Sequence, residues 1–304
     1  MIRLQQSGQS LGSEILLTII VRDEQYGEII FSHLWDKIYK FNNRFSRFLK
    51  DSELTKVNLA NGKETKVSNE FIELLKEAKR YIKETDGLFN PFILPALQEV
   101  GYIGSFPNFN KFDENLDFTK RSSSYSYEDI VIKDNFVTIP KNSALDFGGI
   151  GKGYMADKLA DYLDLKGIKN YWISLGGDIV CSGRDIDDHN WSIAIAGDKK
   201  NLVVDYIENV DGKRLALATS GVVRRKGADW HHLIDPRTLK SSNSNIQIAS
   251  IAGSSSTATD IFASCLIIDG DKYINKIKGK KGLFKAIIQV REKDQSKIKK
   301  YELN

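Results

Sequence analysis

Apolar residues recur at helical spacing in four parts of the chain. The clearest repeat covers residues 71–82, where positions i, i+3, i+4 and i+7 are apolar, and Ser68 stands before it as a candidate N-cap. This pattern predicts an amphipathic helix. Similar spacing predicts helices over residues 26–45, from Gly153 to about residue 165, and around residues 261–266.

Short runs rich in β-branched and aromatic residues lie between these helices and predict strands. They cover residues 15–22, 171–175, 179–182, 191–196, 202–207, 214–219, 246–252 and 283–290, with a hairpin over 130–139. Pro91 and Pro95 predict an irregular but ordered loop over residues 90–96. Because the elements do not alternate as regular βαβ units, we expect an α+β fold with mixed, largely antiparallel sheets and packed helices.

Composition is typical of an ordinary globular protein. The chain has 304 residues, 41% of them hydrophobic and 28% charged, and a net charge of +4. The basic runs at 278–281 and 297–300 are interpreted as solvated faces, so no nucleic-acid partner is expected. Cys181 and Cys265 are interpreted as buried free thiols, because their spacing fits neither a disulfide framework nor a metal site.

The N-terminal region and the apolar runs of the chain bear on targeting and membrane insertion. No stretch approaches the roughly 20 apolar residues that a membrane-spanning helix needs, and no secretory leader or lipobox is seen. We therefore expect a cytoplasmic protein for the chain as written. An extracytoplasmic or membrane-anchored protein is the alternative if a leader was trimmed. The polar segment 104–127 is a candidate flexible insertion.

A glycine-rich turn at residues 144–163 is the first segment that suggests chemistry. Its glycines at 148, 149, 151 and 153 allow a close approach to a bulky anion, Lys152 adds a positive charge, and a predicted helix follows. The segment lacks the spacing of a Walker loop and of a GxGxxG dinucleotide fingerprint. A phosphate-handling turn and an ordinary glycine turn between a strand and a helix therefore both remain open.

Four further segments carry polar or permissive residues after predicted strands. They are SLGGDI at 174–179, ATSG at 218–221 with Arg224 and Arg225 following, HH at 231–232, and ATDIFAS at 258–264. If the histidine pair lies in a strand, His231 and His232 point to opposite faces. Asp260 and Ser264 share one face of a helix and offer oxygen ligands of the kind that Mg²⁺ takes. Tight turns and an N-cap aspartate are the structural alternatives.

Taken in order, these segments resemble the FAD:protein FMN transferase family, the ApbE-type flavin transferases. The resemblance covers nearly the whole chain and rests on eight ordered blocks. The blocks are QSLGSEI (9–15), SRFLKDSELTKVN (46–58), DGLFNPFILP (86–95), DFGGIGKGYMAD (146–157), SLGGDI (174–179), ATSG (218–221), HHLIDPRT (231–238) and ATDIFAS (258–264).

Several positions depart from the pattern of that family. Leu11 and Ser13 stand for its Met and Thr, and Phe48 for its Tyr, which loses a hydroxyl. Residue 239, a leucine, follows DPRT where the family has glycine, so that turn cannot adopt the same backbone geometry cheaply. The remaining departures are Asn90 for Asp, Gly151 for Ala and Ser264 for Thr.

The resemblance implies one domain over residues 1–304, with two lobes that hold FAD in a cleft. It also implies a Mg²⁺-dependent reaction, in which a Thr or Ser hydroxyl of another protein attacks the FMN-side phosphorus of FAD and AMP leaves. The acceptor would be a flavoprotein with a Ser/Thr-Gly-Ala-Thr-type segment, for example a membrane redox subunit. A Mg²⁺-dependent FAD pyrophosphatase and a non-catalytic FAD-binding protein are the alternatives.

The resemblance also implies roles for single residues. Asp260, Ser264 and the main-chain carbonyl of Gly151 match the metal site of the family, and His232 and Asp260 are the catalytic candidates, with His232 handling the proton at the attacking hydroxyl. The implied flavin contacts are Leu11, Phe48, Asn90, Lys152, Asp157, Gly176, Gly177, Ser220, Gly221 and His232.

Overall fold

The computed structural model describes residues 1–104, 116–122, 125–199, 202–223, 225–292 and 295–304. It confirms the α+β class. The α-helices among these residues are α1 (Glu24–Phe45), α2 (Glu53–Leu59), α3 (Asn69–Glu84), α4 (Leu94–Glu99), α5 (Gly151–Leu165), α6 (Ser256–Asp269) and α7 (Ile274–Ile277). None of the helices in the described part of the chain is both long and apolar enough to cross a membrane.

The strands form one large sheet and three small ones. In chain order they are β1 (Ile2–Ser10), β2 (Ser13–Val21), β3 (Thr65–Lys66), β4 (Val131–Lys133), β5 (Phe136–Thr138), β6 (Tyr171–Leu175), β7 (Asp178–Ser182), β8 (Ser192–Ala196), β9 (Val203–Glu208), β10 (Leu215–Gly221), β11 (Ile234–Asp235), β12 (Lys240–Ser241), β13 (Ile246–Gly253), β14 (Leu283–Glu292) and β15 (Gln295–Glu302).

The chain divides into two compact units. The first comprises Met1–Lys40, Lys152–Gly221 and Ser244–Asn304. It contains the eight-stranded sheet, in the order β1-β2-β6-β7-β10-β13-β14-β15, and every neighbouring pair is antiparallel. Helix α6 packs on β10 and β13, and its many apolar residues are buried because the helix is covered on most sides. Trp191, which directly precedes β8, joins Ile193 and Ile195 of that strand in a core cluster with Leu215 and Leu217.

The second unit comprises Phe41–Gly151 and Val222–Asn243. It holds α2, α3, α4, the small sheet β3-β5-β4 and the β11–β12 pair. Helix α3 buries Phe71, Leu74 and Leu75 on one face, and the Ser68 hydroxyl accepts a hydrogen bond from the Phe71 N–H, which confirms the predicted N-cap.

Two sequence predictions need correction, and two strands were not predicted at all. The loop predicted over residues 90–96 is helical from Pro91 onward: a 3-10 turn, Pro91–Ile93, leads into α4, and prolines are tolerated in a first helical turn because their missing N–H needs no partner there. Strands β1 and β15 were not predicted, because both are sheet edges with mainly polar sequences. The histidine pair does not lie in a strand, since β11 begins at Ile234.

The candidate insertion 104–127 falls partly outside the described residues. In the part that is described, Leu116 and Phe118 are buried in a cluster with Leu94 and Ala144. The Gln98 side chain donates to the Leu116 carbonyl and accepts from the Phe118 N–H. The assignment of the whole segment as an insertion therefore stays a prediction.

Candidate functional site

Two tight turns lie at the same end of the large sheet. Leu11 and Gly12 connect β1 to β2, and Gly176 and Gly177 connect β6 to β7; all four residues have positive φ, as a two-residue type I′ hairpin turn requires. The turns are neighbours because β2 pairs with β6, and the Gly176 N–H donates to the Glu14 carbonyl. Leu11, at φ 54°, occupies a region that is sparsely populated by branched residues.

Lys152 links two buried carboxylates beside these turns. Its ammonium group contacts Asp178, the first residue of β7, and lies 3.6 Å from Oδ2 of Asp260 in α6. The side chains of Asp178 and Asp260 are only 3% and 7% exposed. Because buried carboxylates need a positive partner, the lysine stabilises both of them. It also holds the start of α5 close to α6 and β7.

Ser220 and Ser264 bring hydroxyl groups to the neighbourhood of Asp260. The two Oγ atoms lie 2.8 Å apart, which joins the end of β10 to α6. Asp260 and Ser264 occupy successive turns of α6, as predicted. A carboxylate and a hydroxyl are hard oxygen donors of the kind Mg²⁺ prefers, and among Lys152, Asp178 and Asp260 the negative groups outnumber the positive one. The residues therefore fit the implied cation.

Asp157 contacts protein groups at the beginning of α6. Its carboxylate accepts hydrogen bonds from the N–H groups of Ser256 and Thr257 and from the hydroxyls of Ser255 and Thr257. Arg214, which precedes β10, donates to the same carboxylate at 2.7 Å. Burial works to lower the pKa of Arg214, but the charges of Asp157 and Asp161 outweigh it and hold that pKa above its ordinary value.

The glycines of the glycine-rich turn differ in what surrounds them. A Cβ at Gly153 would lie 2.5 Å from the Ser256 carbonyl oxygen, so this glycine is required by the contact between α5 and α6. At Gly151 a Cβ would only reach ordinary contact with the Phe41 ring, at 3.5 Å. Gly148 donates its N–H to Oδ1 of Asp146. Anion binding at this turn stays a prediction.

In the second unit, Arg47 organises the groups around Phe48. Its guanidinium donates to Oδ2 of Asp146 at 2.9 Å and to the Tyr102 carbonyl at 2.9 Å. It also lies 4.2 Å from the Phe48 ring centre, a cation–π distance. Burial lowers the pKa of Arg47, and Asp146 opposes that shift. Arg47 and Asp146 therefore form a buried ion pair, with Phe48 packed on it.

The two histidines have different surroundings. His231 Nε2 lies 2.8 Å from the Ser242 carbonyl oxygen, while Nδ1 is buried and has no hydrogen-bond partner within the described ranges. His232 Nδ1 lies 3.2 Å from the Arg225 carbonyl oxygen, and its ring lies 6.2 Å from that of Tyr102. A ring N–H that donates to these carbonyls would place the proton on Nε2 of His231 and on Nδ1 of His232, so the two rings would be opposite tautomers.

Asn90 uses both ends of its amide. Its Oδ1 accepts from the Phe92 N–H, which caps the turn that begins at Pro91, and its Nδ2 donates to the Tyr125 carbonyl. An aspartate could make the first bond but not the second. Asn90 also lines a surface cavity of about 350 Å³ together with Asp86 and Tyr125.

The sequence-predicted residues therefore fall into two groups. Leu11, Lys152, Asp157, Gly176, Gly177, Ser220, Gly221, Asp260 and Ser264 belong to the first unit, and Phe48, Asn90, Gly151 and His232 to the second. Sequence reasoning singled out neither Asp178 nor Arg47 for a role. Their signals were present, because each charged residue directly adjoins a matched motif position, Gly177 and Phe48.

One other group of potential metal ligands occurs among the described residues. Asp185, Asp187 and His189 bring one ligand atom each within 4.8 Å of the others. The group lies in the β7–β8 loop, where Asp185 accepts from the N–H groups of the other two residues. Asp187 and His189 are exposed, so this arrangement reads as a turn held by its own aspartate.

Comparison with known proteins gives a consistent result. A model of the ApbE family matches residues 11–288. A FAD:protein FMN transferase of Vibrio cholerae is 31% identical over 241 residues, which cover 76% of this chain and 70% of the relative. One from Klebsiella pneumoniae is 24% identical over 269 residues, or 84% of this chain and 79% of the relative.

Solved structures show the same fold. The flavin transferase ApbE from Vibrio cholerae superposes with a TM-score of 0.81 at 25% identity, covering 99% of this chain and 97% of that chain. The ApbE protein from Thermotoga maritima superposes with a TM-score of 0.84 at 21% identity, again over 99% and 97% of the two chains.

Proposed function

The chain belongs to the ApbE family, and we propose that it transfers FMN from FAD to a hydroxyl group of an acceptor protein, with Mg²⁺ required and AMP released. It is an enzyme of the transferase class, as its curated relatives are FAD:protein FMN transferases. The observation that carries the finer proposal is the cluster of Lys152, Asp260, Ser264 and Ser220 at one end of the sheet.

The reaction exchanges the phosphoanhydride bond of FAD for a phosphoester bond to the acceptor. A Thr or Ser oxygen of the acceptor forms a bond to the FMN-side phosphorus, and the bond from that phosphorus to the bridging oxygen breaks. AMP leaves with the electron pair of that bond. The attacking hydroxyl loses its proton, and His232 is the candidate to take it, because its Nε2 carries the lone pair when Nδ1 donates to the Arg225 carbonyl.

The reaction also requires positive charge beside the phosphates, because the pyrophosphate is anionic and more negative charge develops on the leaving AMP. When bound, Mg²⁺ supplies Lewis-acid stabilisation of the phosphate oxygens. Asp260 and Ser264 would hold it, and the Gly151 carbonyl is the third ligand that the family resemblance implies. Lys152 adds a fixed positive charge beside Asp260, and Asp178 keeps that lysine in place.

The turns at Leu11–Gly12 and Gly176–Gly177 would let backbone approach the flavin or its ribityl chain. Both turns project from the same end of the sheet that carries Asp178 and Ser220. Gly176 has a second reason to be glycine, since a Cβ there would lie 2.5 Å from the Ser13 hydroxyl. Substrate contact at these turns is part of the proposal.

The test separates transfer from the two alternatives. The protein is incubated with FAD and Mg²⁺, with and without an acceptor protein carrying a Ser/Thr-Gly-Ala-Thr-type segment. AMP is quantified by chromatography, and covalent flavin on the acceptor by in-gel fluorescence. AMP that appears only with the acceptor, together with a fluorescent acceptor band, supports transfer. AMP without the acceptor indicates a pyrophosphatase, and FAD binding without AMP indicates a binding protein; either result overturns the proposal.

The metal site is tested with Asp260→Asn, which removes the charged ligand but keeps the side-chain shape. We expect AMP release to fall by roughly 10²-fold or more, even at raised Mg²⁺. Asp269→Asn is the control, because Asp269 lies at the opposite end of α6 and pairs with Lys272. If Asp260→Asn keeps wild-type turnover, the cation is bound elsewhere.

A further inference from the structure

Asp157 is the most heavily hydrogen-bonded carboxylate near the candidate metal site. Among the residues that the structure describes, five donor groups reach it: two backbone N–H groups, two hydroxyls and the Arg214 guanidinium. Its side chain is only 15% exposed. A carboxylate offers about four lone-pair positions, so these donors saturate it. No capacity remains for a hydrogen bond from a flavin or ribityl hydroxyl.

The donors identify what Asp157 holds. Ser256 and Thr257 are the first residues of α6, and their N–H groups have no partner within that helix. Ser255 is the N-cap, whose hydroxyl accepts from the Ala258 N–H and donates to Asp157. A negative charge at this end of the helix is favoured by the helix dipole. Asp157 therefore fixes the first turn of α6 to the body of α5.

That first turn leads directly to the candidate cation ligands. Asp260 follows Thr257 by one helical turn and approaches Lys152, which lies on the turn of α5 that precedes Asp157. The contact between Gly153 and the Ser256 carbonyl joins the two helices at a third point. Moving the start of α6 would therefore move Asp260 relative to Lys152.

Arg214 extends the connection to the sheet. It pairs with Asp157 at 2.7 Å and with Asp161 at 2.6 Å, and it directly precedes β10. The same strand ends near Ser220, whose hydroxyl lies 2.8 Å from that of Ser264. Helix α6 is thus held at its first turn by Asp157 and further along by the Ser220–Ser264 contact.

We infer that Asp157 is a positioning residue for the cation site, which holds the first turn of α6 against α5 so that Asp260 keeps its place beside Lys152, and that it does not contact the flavin. The inference rests on the proposed function for the identity of that site. This positioning role replaces the flavin contact that the family resemblance implied for Asp157. Removing a partner that orients metal ligands typically weakens metal affinity by about 10- to 100-fold.

The experiment measures binding in the full-length chain, without turnover. Mn²⁺ is titrated by electron paramagnetic resonance, and FAD is titrated by flavin fluorescence in metal-free buffer. We expect Asp157→Asn to raise the Mn²⁺ dissociation constant by about 10-fold or more, with FAD affinity within about 2-fold of wild type. Amide exchange at Ser256 and Thr257 should accelerate, because the amide that replaces the carboxylate keeps only one acceptor oxygen. Asp161→Asn is the matched control, since Asp161 lies on α5 like Asp157, also pairs with Arg214, and has a side chain that is 63% exposed.

Two results would overturn the inference. One is a folded Asp157→Asn protein with wild-type Mn²⁺ affinity. The other is an Asp157→Asn protein whose FAD affinity falls at least 10-fold while its Mn²⁺ affinity is kept. If Asp157→Asn does not fold, Thr257→Val decides, because it removes one of the hydroxyls that join α6 to the Asp157 carboxylate and leaves that carboxylate in place; it should weaken Mn²⁺ binding in the same direction. Wild-type protein that binds Mn²⁺ but releases no AMP would overturn the proposed function and leave this inference standing.

Discussion

Gly153→Ala tests whether the glycine-rich turn serves packing between helices. The added Cβ would lie 2.5 Å from the Ser256 carbonyl oxygen and 2.9 Å from the Thr257 Cα, whereas ordinary contact begins at 3.4 Å. Both neighbours are backbone atoms, so rotating a side chain cannot relieve the clash. The helices α5 and α6 must therefore separate by about 1 Å at this point.

The expected magnitudes follow from that displacement. Overpacking of this kind costs about 1–3 kcal/mol, and alanine gives back about 1 kcal/mol of helix propensity relative to glycine. The net loss is about 0–2 kcal/mol, which should lower the melting temperature by a few degrees. Since Asp260 lies on α6 and Lys152 on α5, the same shift should reduce AMP release by about 10²-fold.

The assays are thermal unfolding and AMP release at saturating Mg²⁺. Gly151→Ala is the stability control, because it adds the same methyl group to the same helix but meets only the Phe41 ring at 3.5 Å. That variant should melt at or slightly above the wild-type temperature. If Gly153→Ala also melts at or above wild type and keeps its turnover, the close approach does not constrain the site. A selective loss of FAD affinity would instead favour the anion-binding interpretation.

The remaining predictions concern the histidine pair. Burial lowers the pKa of His231 below its ordinary 6.5, so the native state binds fewer protons than the unfolded chain. The free energy of unfolding should therefore fall as the pH drops below about 6.5. Urea titrations should show a flatter pH profile for His231→Gln. His232→Ala should lower turnover by roughly 10²-fold while FAD binding survives in a fluorescence titration, whereas turnover lost only in His231→Ala would reverse the assignment.

Much of the fold follows from local patterns in the chain. Helix α3 was predictable because its apolar stripe and its cap, Ser68, agree with each other. Strand β6 was predicted with its observed bounds. Edge strand β15 was not, because pairing on one side only allows a lysine-rich sequence without an apolar period.

The candidate site was predictable as a set of motifs but not as a set of contacts. Asp260 and Ser264 could be placed on one helix face, because both lie in α6 at a spacing of four. The ion pair from Lys152 to Asp178 joins the start of α5 to β7, and no local pattern reveals which distant carboxylate meets a lysine. Asp157 was assigned from its motif alone, and only the position of α6 shows where its carboxylate points.

The departures from the family pattern are accommodated by particular contacts. Ser264 keeps a hydroxyl where the family has threonine, and that hydroxyl contacts Ser220. The Asn90 amide donates a hydrogen bond to the Tyr125 carbonyl that an ionised carboxylate could not donate, so the substitution is satisfied locally. Leu239 adopts φ 59° where glycine is usual, a conformation that costs a non-glycine residue about 1–2 kcal/mol. Its partly buried side chain packs against the cluster of Ala96, Leu97 and Ile234, and this apolar contact offsets part of the backbone strain. At these three positions the departure from the family pattern is therefore satisfied by local contacts, as a maintained fold requires.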